Sequence, residues 1–221
     1  MVAAEPAYAI ASTRSAVRVV VVIGVLLAAP AALIAITLGF GFLPLPHPLF
    51  VVRERLPVAF PLHMIASGLA LILIPIAAFL RHRHVAHRAV GRAAALCVAI
   101  GGTTALLVAV ASEATLVARA GLFAQGIIWL ALLAAAYLAI RQRRIMAHAR
   151  LMIAMAAVAS GAIWLRLVIY AVVMAGLPFD PAYAAATWVC WLAPLVLAVT
   201  VARMSGTPKA SSATCGVPSK A

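Results

Sequence analysis

Long apolar runs separated by short polar stretches dominate this chain. Six such runs lie at about residues 19–43, 62–80, 93–112, 120–140, 151–177 and 182–202. Each run approaches or exceeds the roughly 20 residues that an α-helix needs to cross the hydrocarbon core of a bilayer. The pattern predicts an all-α fold, a polytopic membrane helix bundle with about six transmembrane helices. In this interpretation the bundle spans residues 19–203, after a cytoplasmic segment at 1–18 and before a disordered Gly/Ser/Pro-rich tail at 204–221.

The connections between the apolar runs are short and carry most of the polar residues. The stretch 44–61 is rich in proline and predicts an external loop with a short interfacial piece. The stretches 81–92 and 141–150 are strongly basic and predict two turns at the same membrane face. The first apolar run is longer than the core of a signal peptide, which has about 7–15 residues, so we interpret it as an uncleaved span.

Composition points to lipid as the main solvent of the chain. The sequence is 67% hydrophobic and only 10% charged, whereas a soluble domain carries about 25% charged residues. The formal net charge of +13 is compatible with nucleic-acid binding. The basic residues lie in short loops between apolar runs, however, where such residues orient membrane spans. We therefore predict the lipid bilayer as a partner and no nucleic acid.

The distribution of basic residues predicts the orientation of the bundle. Thirteen of the seventeen Lys and Arg residues lie in the N-terminal segment, the two basic turns and the C-terminal end from Arg203 onward. Only Arg53, Arg55 and Arg119 lie in the loops on the other side. Because cytoplasmic loops carry the excess of basic residues, the chain is predicted to span a bacterial inner membrane with both termini in the cytoplasm. The basic turns would then contact anionic lipid headgroups.

Arg166 is the one charged residue inside an apolar run, in the half of its span that faces outward in this orientation. Intramembrane charges usually face the bundle interior or a wet cavity, which makes Arg166 a candidate binding residue. Two other interpretations stay open: Arg166 snorkels outward to lipid headgroups, or it pairs with Glu113 or Asp180. An outward-facing polar pocket for a small molecule or ion would be lined by His63, Ser67, Glu113, Gln125, Arg166 and Tyr170.

The two basic turns resemble each other at a spacing of about sixty residues. Arg81 and Arg83 precede His87 in one turn as Arg141 and Arg143 precede His148 in the other. Two parallel copies of one hairpin would place His87 and His148 at the same depth. The alternative is that both turns are basic because all cytoplasmic turns are. No Cys or acidic residue near these histidines completes a coordination set, so we predict no metal site and no cofactor.

The remaining sequence signals concern packing. The cysteines form no CxxC pair, and no nucleotide-binding or hydrolase motif is present. Four small residues at four-residue spacing predict a close helix approach along the third span; they are Gly91, Ala95, Ala99 and Thr103.

Four elements together resemble a bacterial family of predicted membrane proteins of unknown function, domain of unknown function 2306. They are His63-x-x-x-Ser67-Gly68, the turn from His87 to Arg92 (HRAVGR), the turn from His148 to Met152 (HARLM), and Arg166-Leu167. The resemblance covers roughly residues 60–170. It implies a multi-span inner-membrane protein whose cytoplasmic rim carries the motif residues His87, Arg88, Gly91, Arg92, His148 and Arg150, and it supplies no activity.

Three functions are compatible with these observations. The first is a protein that binds a small molecule or ion in the outward-facing pocket near Arg166 and His63. The second is a b-type haem or quinone-linked electron carrier, for which His87 with His148, or His63 with His47, are the available histidine pairs. The third is a non-catalytic accessory or assembly protein. The sequence contains no motif for an enzyme active site, so an enzyme is the less favoured interpretation.

Overall fold

The computed structural model describes the backbone of residues 5–204 and the side chains from residue 22 onward. The described chain is helical throughout, and short connections join its elements. The α-helices are α1 Glu5–Phe40, α2 His47–Arg55, α3 Ala59–Phe79, α4 His84–Ala111, α5 Leu116–Arg141, α6 Ile145–Met174 and α7 Phe179–Met204. A single 3₁₀ turn, Leu80–His82, joins α3 to α4. The predicted disordered tail lies almost entirely outside the described residues.

Six helices are long and apolar enough to cross a membrane, which confirms the predicted all-α bundle of about six spans. They are α3 to α7 and, in α1, the part from Val22 to Phe40. The nine residues of α2 are too few for a span. This short helix occupies the proline-rich stretch that was predicted as a loop with an interfacial piece.

The helices extend beyond the apolar runs, chiefly into the basic stretches. Helix α4 begins at His84 instead of near residue 93, and α6 begins at Ile145 instead of near residue 151. Hydropathy marks the part of a helix that contacts lipid, whereas the backbone hydrogen bonds of the helix continue past that part. The two predicted basic turns are therefore mostly the first turns of α4 and α6.

Four helices form a closed ring at the centre of the protein. Neighbours in the order α3, α4, α5, α6 pack against one another, and α6 also packs against α3. Within the described residues, the diagonal pairs α3/α5 and α4/α6 bring no Cα atoms within 8 Å of each other. Helix α1 packs against α3, and α7 packs against α6 and α5. We call the end with the α3–α4 and α5–α6 connections the basic end. The other end, with α2 and the α4–α5 connection, is the opposite end.

Glycines set the closest helix approaches. A Cβ atom added to Gly101 in α4 would lie 2.7 Å from Ser67 Oγ in α3, and one added to Gly161 in α6 would lie 2.8 Å from Trp191 Cβ in α7. Gly91 has nothing within 4 Å of the same position. The predicted small-residue stripe is therefore wrong in register: Gly91 makes no close helix contact, and α4 packs through Ala94, Val98, Gly101 and Gly102.

The two hairpins α3–α4 and α5–α6 carry the same interhelical hydrogen bond. His87 is the fourth residue of α4, and its Nδ1 is 2.8 Å from the carbonyl oxygen of Ala77 in α3. His148 is the fourth residue of α6, and its Nδ1 is 2.9 Å from the carbonyl oxygen of Ala136 in α5. Each histidine thus joins the start of one helix to the last turns of the preceding one.

Candidate functional site

His63 is held between α3 and α4 near the opposite end of the bundle. Its Nδ1 is 2.9 Å from the carbonyl oxygen of Gly101 and 3.4 Å from Ser67 Oγ. Since a carbonyl can only accept, Nδ1 carries the proton and donates to Gly101. The imidazole is partly buried, and its Nε2 makes no hydrogen bond to any described residue. The close contact of Gly101 with Ser67, which leaves no room for a Cβ atom, brings the acceptor within reach of the ring.

The Arg166 side chain is partly buried and runs along its own helix toward the basic end. Its NH1 donates to the carbonyl oxygen of Ala162, at 2.7 Å, one turn toward the basic end. The nearer end of α6 is at Met174, eight residues away in the other direction, or about 12 Å. Helical Cβ atoms tilt toward the N-terminus of the helix, which is the direction that this side chain follows. The geometry does not fit an arginine that snorkels to the nearer membrane surface.

Arg166 has no acidic partner within the part of the chain whose side chains the structure describes. The single ion pair there joins Arg55 to Glu113, with 2.8 Å between NH2 and Oε1. Arg55 also donates to the carbonyl oxygen of Ala111, so this pair fastens α2 to the end of α4. The alternative in which Glu113 or Asp180 neutralises Arg166 is therefore not what the structure shows.

The structure brings together only some of the predicted pocket residues. Ser67 lies within hydrogen-bonding distance of His63, and Arg166 is partly buried in α6, a helix that packs against α3. Gln125 instead donates through Nε2 to the carbonyl oxygen of Val158 in α6, at 3.1 Å. Tyr170 is 67% exposed on the bundle surface. The residues that remain as candidates are the pair His63 and Ser67 in α3 and Arg166 in the neighbouring helix α6.

One buried polar group was not predictable from the sequence. Trp129 is 8% exposed in the core, and its Nε1–H finds no acceptor among the described residues. Such an unpaired donor costs free energy in a low-dielectric interior. Nothing in the sequence distinguishes this tryptophan from the other tryptophans in apolar runs, because its pairing depends on which helices surround it.

The rim residues that the family resemblance implied lie at the basic end. Arg88, Arg92 and Arg150 are exposed, whereas His87 and His148 are partly buried. Within the described residues, no group of three or more His, Cys, Asp or Glu side chains is placed to hold a metal ion.

The family of the chain follows from one comparison. The family model described as predicted membrane protein, DUF2306, matches residues 60–202, which is more than half of the chain. The chain belongs to the DUF2306 family. The match extends the resemblance seen at residues 60–170 through α6 and most of α7. No curated protein and no solved structure matches this DUF2306 protein.

Proposed function

We propose that this DUF2306 protein binds a small anion in a pocket between α3, α4 and α6 that opens at the opposite end of the bundle. The observation that carries the proposal is Arg166, a partly buried guanidinium within a span. It is turned away from the nearer end of its helix, and it has no acidic partner among the described residues. Placing a charged side chain at such a depth costs at least ~2.5 kcal/mol on insertion scales. An anionic ligand would offset that cost.

The groups around Arg166 favour a carboxylate with an apolar body. Arginine presents a planar fork of donors that matches a carboxylate, and one of its nitrogens is already engaged with Ala162. In the proposed site His63 and Ser67 would add polar atoms, and the adjoining core of the bundle is apolar. Ligand sites of this type combine a mostly apolar lining with a few convergent polar groups.

Replacing Arg166 by Gln is expected to remove the stabilisation of the protein by benzoate, because the amide cannot supply a positive charge. The measurement is the thermal denaturation midpoint of the purified protein in detergent, with sodium benzoate against sodium chloride at constant ionic strength. A ligand at ten times its Kd adds about 1.4 kcal/mol to the free energy of unfolding. The wild-type midpoint should rise accordingly, and that of Arg166→Gln should not.

Arg119→Gln is the matched control, since Arg119 donates to the carbonyl oxygens of Ala109 and Val110 at the same end of the bundle and also has no acidic partner among the described residues. This variant should keep the full benzoate effect. Arg166→Lys keeps the charge without the planar fork and should keep part of it. A wild-type protein that responds to benzoate no more than to chloride would refute the proposal, as would an unchanged response in Arg166→Gln.

The orientation of the bundle is a second part of the proposal: a bacterial inner membrane with the basic end in the cytoplasm. What supports it is the excess of basic residues in the segments at that end. The exposed arginines there would lie at the level of anionic lipid headgroups, and the Arg166 pocket would open outward.

Cysteine labelling tests this orientation. In a variant without the three native cysteines, Glu54→Cys in α2 should react with a membrane-impermeant maleimide in intact bacterial cells. Arg83→Cys at the basic end should react only after the membrane is opened. Both positions are exposed, so accessibility to the reagent depends on the side of the membrane alone. Labelling of Arg83→Cys in intact cells would contradict the proposed orientation and indicate the opposite one.

A further inference from the structure

Two arginines lie one turn apart on an exposed face of α4 at the basic end. Arg88 and Arg92 are the fifth and ninth residues of the helix, and both are exposed. Residues four apart in a helix share a face, with about 5–6 Å between their Cβ atoms. The proposed anion pocket is at the opposite end of the bundle, so binding of the anion does not use this pair.

The first turns of α4 fix the direction of this face. His87 Nδ1 donates to the carbonyl oxygen of Ala77, which holds the start of α4 against α3. Arg88 is the next residue, about 100° further around the helix. Its Nε donates to the carbonyl oxygen of His84 at 3.3 Å, so the side chain runs toward the N-terminus of the helix. The terminal nitrogens of Arg88 and the whole guanidinium of Arg92 make no hydrogen bond to any described residue, which leaves their donors for a ligand.

A recess in the helix surface adjoins the two arginines. Gly91 lies between them in sequence, and nothing is within 4 Å of the position that its Cβ would take. Glycine is unfavourable inside a helix, and no neighbouring helix comes close enough here to require one. Bare backbone of this kind suits the close approach of a ligand. The space beside Gly91 is therefore room for a group that the two arginines bind.

Toward the opposite end, the same face of α4 is apolar. Its exposed side chains include Leu96, Leu107 and Val110, which are 62%, 50% and 56% exposed. At about 100° per residue, all three lie within about 60° of Arg92 around the helix. Ala111 ends the helix 19 residues beyond Arg92, or about 28 Å, close to the ~30 Å of a hydrocarbon core. The arginines are therefore at the level of lipid headgroups, and the apolar face is at the level of acyl chains.

We infer that α4 binds one anionic phospholipid, with its phosphate between Arg88 and Arg92, its headgroup in the recess at Gly91 and its acyl chains along the apolar face. The inference rests on the part of the proposed function that puts the exposed arginines of this end at headgroup level. Arginine donates bidentately to phosphate oxygens, and two such groups one turn apart bracket one phosphate.

The charges at this end favour a lipid with net negative charge over a zwitterionic one. A choline headgroup adds a cation that the two arginines would repel, whereas a glycerol headgroup is neutral and donates hydrogen bonds. Glu54, Glu113 and Asp180, three of the four acidic residues of the chain, lie at the opposite end. No described carboxylate therefore competes with the phosphate for the arginines.

The matching hairpin lacks the pair. Counted from its own histidine, His148, helix α6 has Ala149 and Ile153 in the places of the two arginines of α4. Arg150 is exposed, but no basic residue lies one turn before or after it in α6. The expected stoichiometry is one tightly bound lipid per chain, held by α4.

The test is native mass spectrometry of the full chain, released from detergent after titration with phosphatidylglycerol or phosphatidylcholine. The wild type should retain one phosphatidylglycerol more tightly than any further one and more tightly than phosphatidylcholine. Arg88→Gln and Arg92→Gln should each weaken this first binding roughly tenfold or more, the loss expected for a hydrogen bond between charged groups. Equal binding of the two lipids by the wild type would overturn the inference.

Arg150→Gln is the matched control and should bind the first phosphatidylglycerol as the wild type does. Within the described residues α4 and α6 bring no Cα atoms within 8 Å of each other, and salt screens charges beyond about 8 Å at 0.15 M. An equal loss in Arg150→Gln would mean that the lipid responds to general basic charge and has no site on α4.

Gly91→Leu tests the recess, since it fills the space without changing a charge. It should also weaken the first phosphatidylglycerol, and wild-type binding by this variant would contradict a headgroup at Gly91. Glycerol 3-phosphate at millimolar concentration should not displace the lipid, because it lacks acyl chains. Displacement would identify a site for soluble phosphate compounds and overturn the assignment to a lipid.

This test and those of the proposed function fail independently. Lipid binding in detergent does not depend on which side of the membrane the basic end faces, so cysteine labelling decides the orientation separately. Arg88→Gln should also keep the full benzoate response, which shows that the variant is folded. A variant without that response would place Arg88 in the structure of the bundle and count against a role confined to lipid.

Discussion

Gly161→Ala is expected to lower the free energy of unfolding by roughly 1–3 kcal/mol, the usual cost of adding a methyl group to a fully packed site. The new Cβ would lie 2.8 Å from Trp191 Cβ, 2.9 Å from Gln125 Nε2 and 3.2 Å from Trp191 Cα. Two of these atoms belong to the backbone or the first side-chain carbon of α7, which cannot rotate away. Helices α6 and α7 would have to separate, and the hydrogen bond from Gln125 to Val158 would be strained.

Gly91→Ala is the control for this change. Gly91 is also helical, and nothing lies within 4 Å of its added Cβ. At this position the substitution changes only the helix propensity, and alanine should raise the free energy of unfolding by up to about 1 kcal/mol relative to glycine. The measurement is detergent-induced or thermal unfolding of both variants beside the wild type. Equal stability of Gly161→Ala and Gly91→Ala would show that α6 and α7 are not in close contact at this position.

Phe60→Ala is expected to destabilise the protein by roughly 3 kcal/mol, at the lower end of the range for a buried phenylalanine. Phe60 is 1% exposed and packs in a small cluster with Ala35 of α1, Val52 of α2 and Met64 of α3. Transfer from lipid to a protein core gains little, so the cost comes mainly from lost van der Waals contacts and the cavity that remains. The cluster anchors α2, and His63 follows Phe60 by less than one turn.

The matched control lies at the other end of the same helix. Phe79 is 53% exposed, so Phe79→Ala should change stability by about 0.5 kcal/mol or less. Unfolding monitored by tryptophan fluorescence distinguishes the two variants. We also expect Phe60→Ala to weaken the benzoate effect, since α3 positions His63. Equal stability of the two variants would mean that the Phe60 cluster does not pack as the structure indicates.

The number and approximate positions of the membrane-spanning helices were predictable from the sequence. Runs of about 20 apolar residues leave the backbone no partner in lipid except itself, so each run must be a helix. The boundaries were less accurate, as α4 and α6 show, because helical hydrogen bonding continues into basic segments that hydropathy assigns to turns. Where such a helix begins depends on packing against its neighbour, for example on the bond from His87 to Ala77.

The sequence predicted individual candidate residues for the site but not their contacts. Arg166 was identifiable because a charge is costly among apolar residues, and His63 because it begins a span. The sequence did not show that Glu113 pairs with Arg55, that Tyr170 is exposed or that Gln125 bonds to Val158. These partners are 33 to 58 residues away in the chain, and no local periodicity encodes which of two helices a side chain meets.

The sequence by itself determined that the chain is all-α and has six helices long and apolar enough to span a lipid bilayer. The length of an apolar run and the need to hydrogen-bond its backbone groups in lipid are local properties of the chain. Tertiary structure alone decided the contacts. Gly101 and Gly161 form the close helix approaches, whereas Gly91 does not. His87 and His148 donate to equivalent carbonyls in two hairpins, and Arg166 folds back along its own helix toward the basic end. These outcomes depend on how helices distant in sequence fit together, since lipid is as apolar as their side chains and only packing and polar contacts select between arrangements.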